Sequence, residues 1–246
     1  MSKVLVVVEG SKTERELFEK LYELYGEANV DIVSFNTHVF TLYKFLKEYY
    51  SDENGVIDYR TIRIPLFLKD YKPLLPQDRK KLLDSKFTDV ILIFDFEPHA
   101  PEFKNETIQE LLFHFSESNR QGKLYLNYPM VESFKDLTSL PDPNFVNTKA
   151  QKNDINYDYK KIVNNRTVLK AHGIKDIDHK VGKILIKAHD DKLRAIIQNI
   201  NDESECMHQK YIDLCYLQCD MIEKERKVWI LNTSILYFLE EYGSLE

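Results

Sequence analysis

The sequence predicts an α/β protein: a parallel sheet with helices on both faces. Three observations carry that expectation. Residues 3–8 (Lys-Val-Leu-Val-Val-Val) and 89–94 (Asp-Val-Ile-Leu-Ile-Phe) are short, nearly continuous apolar runs. Rich in β-branched side chains, they have the pattern of strands buried on both faces. Strand and helix signals then alternate up to residue 135, as in a sheet covered by crossover helices. The chain of 246 residues is also 43% hydrophobic and 12% aromatic, which suits a packed core and not a disordered polymer.

The first strand ends in Glu9-Gly10-Ser11-Lys12-Thr13-Glu14. Leu17, Leu21, Leu24 and Tyr25 then mark one face of a helix over 12–25, with Ser11 or Thr13 available as its N-cap. A second strand is expected at 30–35, followed by a helix whose buried face carries Val39, Leu42, Tyr43 and Leu46. Residues 51–75 are mixed, with turn signals at Asn54-Gly55, Pro65 and Pro73. A short helix near 77–84 leads into the strongest strand, 89–94, which ends in Asp95-Phe96-Glu97-Pro98-His99. A helix at 104–117 and a strand at 123–127 follow, and Glu132 is expected to open the next helix. From 141 to 180 the chain is polar and turn-rich; helices are expected near 183–200 and 204–225. The run 228–242 begins extended and ends helical. The sequence therefore divides into an α/β core at 1–140 and a mainly helical extension or cap at 141–246.

Charge is unevenly spread. The net charge is −6, yet residues 149–187 carry ten Lys/Arg against four Asp, a local balance of +6 that leaves −12 on the rest. That basic tract is the natural place for a polyanion. No apolar run approaches the roughly 18 residues of a bilayer span, which predicts no membrane partner. The chain opens directly into a strand without a leader pattern, so the expectation is a soluble, cytoplasmic protein. Cys206, Cys215 and Cys219 cannot all pair within one chain, in line with a reducing compartment. Together with His208 they match no common zinc spacing, and buried or incidental thiols are the favoured reading.

The chemistry lies in the carboxylates. Ligands of open parallel sheets sit beyond the carboxyl ends of the strands. Glu9 ends the first strand; Asp95 and Glu97 end the strongest one and, two apart, point to the same side of an extended backbone. If these strands are neighbours, three carboxylates meet, and their mutual repulsion raises each pKa. A hard divalent cation resolves the conflict while keeping water and phosphate oxygens in its shell. Such an ion polarises a scissile phosphate, and a nearby Glu can move protons. Glu132, after the next strand, is a fourth candidate ligand.

At this point the residues match a known family. Val8-Glu9-Gly10-Ser11-Lys12-Thr13-Glu14 with Ile93-Phe94-Asp95-Phe96-Glu97 resembles the Toprim signature, a strand-end Glu with Gly and a later Asp-x-Asp. With Tyr128-Pro129-Met130-Val131-Glu132-Ser133-Phe134, the likeness is greatest to stand-alone Toprim-like and overcoming-lysogenization-defect (OLD) nucleases of bacterial defence islands. It covers residues 1–135, and Glu97 stands where the family carries a second Asp. The resemblance implies a Toprim-like sheet in the 1–140 core and an Mg²⁺- or Mn²⁺-dependent nuclease acting on DNA or RNA, as an effector of phage defence. It makes Glu9 both general acid/base and metal ligand, Asp95 a metal ligand, and Glu97 a direct or water-mediated one. Glu132 would be an accessory ligand.

Lys12, Lys149 and Lys152 are candidates for phosphate binding. The alternative is a non-catalytic Toprim-fold subunit that binds a partner ATPase or nucleic acid; an ordinary α/β interaction domain is the third reading. A homo-oligomer is compatible with each. Gly10-Ser11-Lys12-Thr13 lacks the upstream Gly of a P-loop, and Asp95-x-Glu97 lacks the second Asp of haloacid dehalogenase phosphatases. A chain of 29.2 kDa is too small for topoisomerase strand passage, and primase activity would need further template-binding modules.

Overall fold

Strand β1 (Lys3–Val8) is the pivot of the molecule. Its residues 4–8 are all buried; because successive side chains point to opposite faces, both faces of the sheet are covered there. The computed structural model describes residues 3–26, 28–83, 86–171, 173–198 and 206–243. After β1 come α1 (Thr13–Tyr25), β2 (Asn29–Ser34), α2 (Val39–Tyr50), α3 (Ile64–Asp70), α4 (Pro76–Leu83) and β3 (Asp89–Asp95). Helix α5 (Asn105–His114), β4 (Ser116–Glu117) and β5 (Gly122–Tyr128) complete the first part. The remainder holds β6 (Lys149–Gln151), α6 (Lys152–Tyr157), α7 (Tyr159–Arg166), α8 (His179–Gln198), α9 (Met207–Glu225), β7 (Lys227–Trp229), β8 (Leu231–Asn232) and α10 (Tyr237–Tyr242).

The central sheet runs β2-β1-β3-β5-β4, with β8 also paired to β5. The pairs β1–β2, β1–β3 and β3–β5 are parallel; β4 and β8 lie antiparallel to β5. The expected class, an α/β fold with a mostly parallel sheet flanked by helices, is thus what the chain adopts. Helix α1 packs with α8 and α10, while α5 packs with α2 and α9.

Several boundaries differ from expectation. The helix expected over 104–117 stops at His114, and Ser116–Glu117 instead pairs with β5. Phe115 is fully buried at that break, and its carbonyl accepts the Leu124 N–H of β5 at 2.9 Å, which draws the backbone into the sheet instead of a longer helix. Neither Ser11 nor Thr13 caps α1; Lys12 holds the N-cap position without a side-chain bond. Glu132 lies in a single 3₁₀ turn, Val131–Lys135, rather than at the head of an α-helix. The polar stretch 141–180 contains β6, α6 and α7. Residues 84, 199, 200, 204 and 205, at the expected helix ends, lie outside the described residues.

The last elements return to the sheet. Asn232 Nδ2 donates to the Val131 carbonyl at 3.1 Å, and Thr233 Oγ1 donates to that of Leu126 at 2.8 Å. The Asn232 N–H donates to His189 Nδ1 at 3.0 Å. Burial pushes the His189 pKa down to about 3, so the ring stays neutral and can accept. Helix α10 is seated on α1 through Phe18–Phe238 packing and a 3.0 Å Tyr22–Tyr237 hydroxyl contact.

Helix α1 is tied to β2 and α4 by Asp78, which is fully buried and accepts from Arg15 Nη2 at 2.8 Å and the Ser34 N–H at 3.0 Å. Arg15 also donates to the Ile32 carbonyl. Arg15→Ala leaves that carboxylate with the Ser34 N–H and, as its one cationic partner among the described residues, Lys81 at 3.6 Å. The expected cost is about 3–5 kcal/mol, the range for breaking a buried pair, measured by urea unfolding; a loss below 1 kcal/mol would contradict it.

Cys215 and Cys219 are buried in α9 and Cys206 is exposed. No described helix is long and apolar enough to cross a membrane.

Candidate functional site

The strand order sets the site. The chain leaves β1 toward β2 on one side and later enters β3 on the other. Connections diverge at the carboxyl ends of β1 and β3, which is where a doubly wound sheet opens a crevice. The condition set by the sequence, that these two strands be neighbours, is met: Val8 pairs with Ile93, and the Glu9 N–H donates to the Ile93 carbonyl at 3.0 Å.

Glu9 and Asp95 meet directly. The Asp95 N–H donates to Glu9 Oε2 at 3.0 Å. Asp95 is 8% exposed, and its Oδ1 is buried with no hydrogen-bond partner among the described residues. Burial, then the charges of Glu9, Glu14, Glu132 and Glu97, push the Asp95 carboxyl well above the usual carboxylate range. Burial and then Glu97 do the same to Glu9, opposed by the Asp95 N–H. Glu97 itself sits at φ 44°, a left-handed conformation costing a non-glycine residue on the order of 1–3 kcal/mol. The departure from the expected Asp therefore stands on an unusual backbone.

Two members of this group carried no role in the sequence reading. Glu14, in the first turn of α1, is 7% exposed and accepts the Gly10 N–H at 3.2 Å. Burial raises its pKa, and Glu132 adds to the rise. The signal for it was present: a second acid in the strand–glycine turn–helix motif faces the same strand end as Glu9. Lys160, on α7, lies 2.7 Å from Glu132. Its hydrogen bond to Glu132 raises its pKa, and the charges of Glu14 and Asp95 act in the same direction. Nothing local in the basic tract distinguishes Lys160 from its neighbours; it is placed by α7 packing on the 131–135 turn.

Of the candidate phosphate ligands, Lys12 is exposed at the head of α1. Lys149 lies over the Trp229 ring at 4.1 Å and 3.5 Å from Glu225. Lys152 lines a cleft of about 440 Å³ with Lys104, Glu106, Glu223 and Arg226. The contacts of Lys149 and Lys152 thus belong to α9 and its surroundings, not to the carboxylates.

The carboxylates share one electrostatic field without being gathered at bonding distance of one point: among the described residues no three His, Cys, Asp or Glu stand ready as they are to hold a metal ion. The donor chemistry still fits Mg²⁺ or Mn²⁺. All candidates are hard oxygens, and the orphaned Asp95 Oδ1 is the kind of buried acceptor that a cation satisfies. No protein-family model matches the chain, and no match is found among curated proteins or solved structures.

Proposed function

We propose that the chain is a divalent-metal-dependent nuclease of the Toprim type, cutting phosphodiester bonds of DNA or RNA, with phage defence as its setting. The observation that carries this reading is Asp95: a buried carboxylate at the strand divergence, with one unpartnered oxygen and four other acids in its field. At neutral pH such a group needs a proton or a cation. Asp95, Glu9, Glu97 and Glu132 would hold the ion, with water and substrate oxygens completing its shell. Bound there, Mg²⁺ or Mn²⁺ neutralises charge at the phosphate and on the leaving oxygen.

The protein's own groups supply the rest. Glu9 fixes one oxygen on the Asp95 N–H and has its other oxygen for moving a proton, with a pKa raised by burial and by Glu97. Lys160 brings an ammonium to the rim of the cluster, where a phosphate can exchange with Glu132 as its partner. Lys12 offers a second, exposed cation, and the cleft with Lys104, Lys152 and Arg226 offers a path for flanking backbone.

The test is incubation with pooled DNA and pooled RNA in Mg²⁺, Mn²⁺ or EDTA. Cleavage of at least one pool only with metal is expected. No cleavage, together with no heat of Mg²⁺ or Mn²⁺ binding in titration calorimetry, would overturn the reading. A second reading, a non-catalytic Toprim-fold subunit binding nucleic acid or a partner ATPase, draws support from the unassembled ligand set and from Lys160 already neutralising Glu132. Metal-independent binding of nucleic acid without cleavage would favour it.

Gly10 gives a sharper check on geometry. A Cβ there would stand 2.7 and 2.9 Å from the two Glu14 carboxyl oxygens. Gly10→Ala therefore turns the flexible Glu14 side chain away while the backbone holds. Cleavage is expected to fall by up to about 10²-fold, the scale of a 1 Å misplacement, with melting unchanged. An unaltered rate would remove Glu14 from the site.

A further inference from the structure

Glu132 is a buried acid whose counter-ion comes from outside. Its side chain is 4% exposed, and Lys160, 2.7 Å away, is the one cation in ion-pair contact with it among the described residues. The Lys160 side chain is 62% exposed and has no second hydrogen-bond or ion-pair partner among those residues. The other ammonium close by is engaged elsewhere: Lys135, whose charge Lys160 opposes, donates to Asn164 Oδ1 at 2.8 Å.

The helix that carries Lys160 is fixed by other contacts. Asp136, 2% exposed, accepts from the Tyr159 hydroxyl at 2.8 Å and from Arg166 Nε and Nη2, each at 2.5 Å. Tyr159 and Arg166 are the first and last residues of α7, so both ends of the helix are clamped to one buried carboxylate. Thr167 Oγ1 adds a bond to the Lys135 carbonyl. The Lys160 backbone is therefore held against the 131–135 turn, while its flexible four-carbon stem leaves the ammonium able to swing. A fixed mount with a mobile tip is what an exchangeable counter-ion requires.

Two physical demands meet at Glu132. With no metal bound, a buried carboxylate without a counter-ion is unfavourable, and Lys160 meets that need. A divalent ion on the same carboxylate would stand beside the ammonium, and like charges repel more strongly in a crevice than in water. The pull of Glu14 and Asp95 on Lys160 extends the contest to the other acids.

We propose that Lys160 is a built-in counter-ion that holds Glu132 while the site lacks metal and yields it when a divalent ion binds. This rests on the nuclease reading for the identity of the ion, and adds a regulation to it: metal affinity is set below what the acids alone would give. The displaced ammonium is then free for a phosphate oxygen, which lysine meets as a point charge. Phosphate binding and metal loading favour each other, because phosphate takes the ammonium that Glu132 gives up.

The test is Mn²⁺ titration calorimetry of the full chain at pH 8 without nucleic acid. Lys160→Gln is expected to bind Mn²⁺ about tenfold more tightly than the unaltered protein, within the usual range of coupling between sites. Lys160→Arg, which keeps the charge, should stay within about twofold. Lys12→Gln removes the same charge from an exposed position between Glu9 and Glu14, without touching Glu132, and should also stay within about twofold. Equal or weaker binding by Lys160→Gln would overturn the proposal and leave the nuclease reading standing. So would a gain of the same size in Lys12→Gln, since the ammonium would then act only through its general field. No Mn²⁺ binding by any of the four proteins would overturn both.

Discussion

Asp95→Asn is expected to end metal-dependent cleavage and, in the same protein, to raise the melting temperature measured in EDTA. The amide keeps the size of the side chain and leaves intact the 3.0 Å bond from the Asp95 N–H to Glu9. It removes the charge that burial and the fields of Glu9, Glu14, Glu132 and Glu97 all oppose. Loss of one such group from an active site lowers the rate by at least about 10²-fold, read from initial rates across a Mg²⁺ series. The stability gain follows because a buried charge without its counter-ion is unfavourable, and neutralising it relieves the others. Opposite signs in the two measurements separate a metal ligand from a structural acid. If Asp95→Asn lowers both, the carboxylate is a brace and the site reading fails. Glu9→Gln should lose activity alike, with a smaller gain in stability, since Glu9 is partly compensated by the Asp95 N–H.

The second large effect is a pH-dependent stabilisation by Mg²⁺. Glu9, Glu14 and Asp95 all titrate above the ordinary carboxylate values they regain when unfolded. At a pH below those ordinary values, about 4, folded and unfolded chains both hold the protons and the cluster costs little. As pH rises through that region the unfolded chain releases protons first, so the metal-free fold loses stability until the raised folded pKa values are passed. The melting temperature in EDTA should therefore fall between pH 5 and pH 8. Mg²⁺ at about a hundredfold excess over its Kd adds about 2.7 kcal/mol, or a melting shift of roughly 5–10 °C for a chain of this size. The shift should be largest at pH 8 and small at pH 5, where protons compete for the same oxygens. A shift equal at both pH values would show that Mg²⁺ binds elsewhere.

What the sequence revealed was whatever is written in neighbouring residues. Strands β1 and β3 are continuous apolar runs, and a residue directly after each is at a strand end by construction, so the positions of Glu9 and Asp95 are legible in the sequence alone. The short strands β4, β6, β7 and β8, of two or three residues, are too brief for an alternating pattern to register. Phe115 continues the apolar stripe of α5, so the sequence extends that helix past His114, although the Phe115 carbonyl already pairs with Leu124 of β5. The polar segment carries no apolar stripe that would mark α6 and α7; in α7 only Tyr159 and Val163 are buried. Lys160 was hidden for the same reason. Its meaning comes from the docking of α7 against Glu132, a contact between segments far apart in sequence.

The pairing of β8 with β5 has a consequence for how the molecule is made. Val131, next to the buried Glu132, gives its carbonyl to a side chain 101 residues later in the chain. Lys160 joins the same turn from in between. A ribosome delivers β1, β3 and all five acids long before it delivers Asn232, so the Val131 carbonyl must wait for this partner. The last described tenth of the chain thus adds the final brace to a turn that Lys160, Thr167 and His189 already hold.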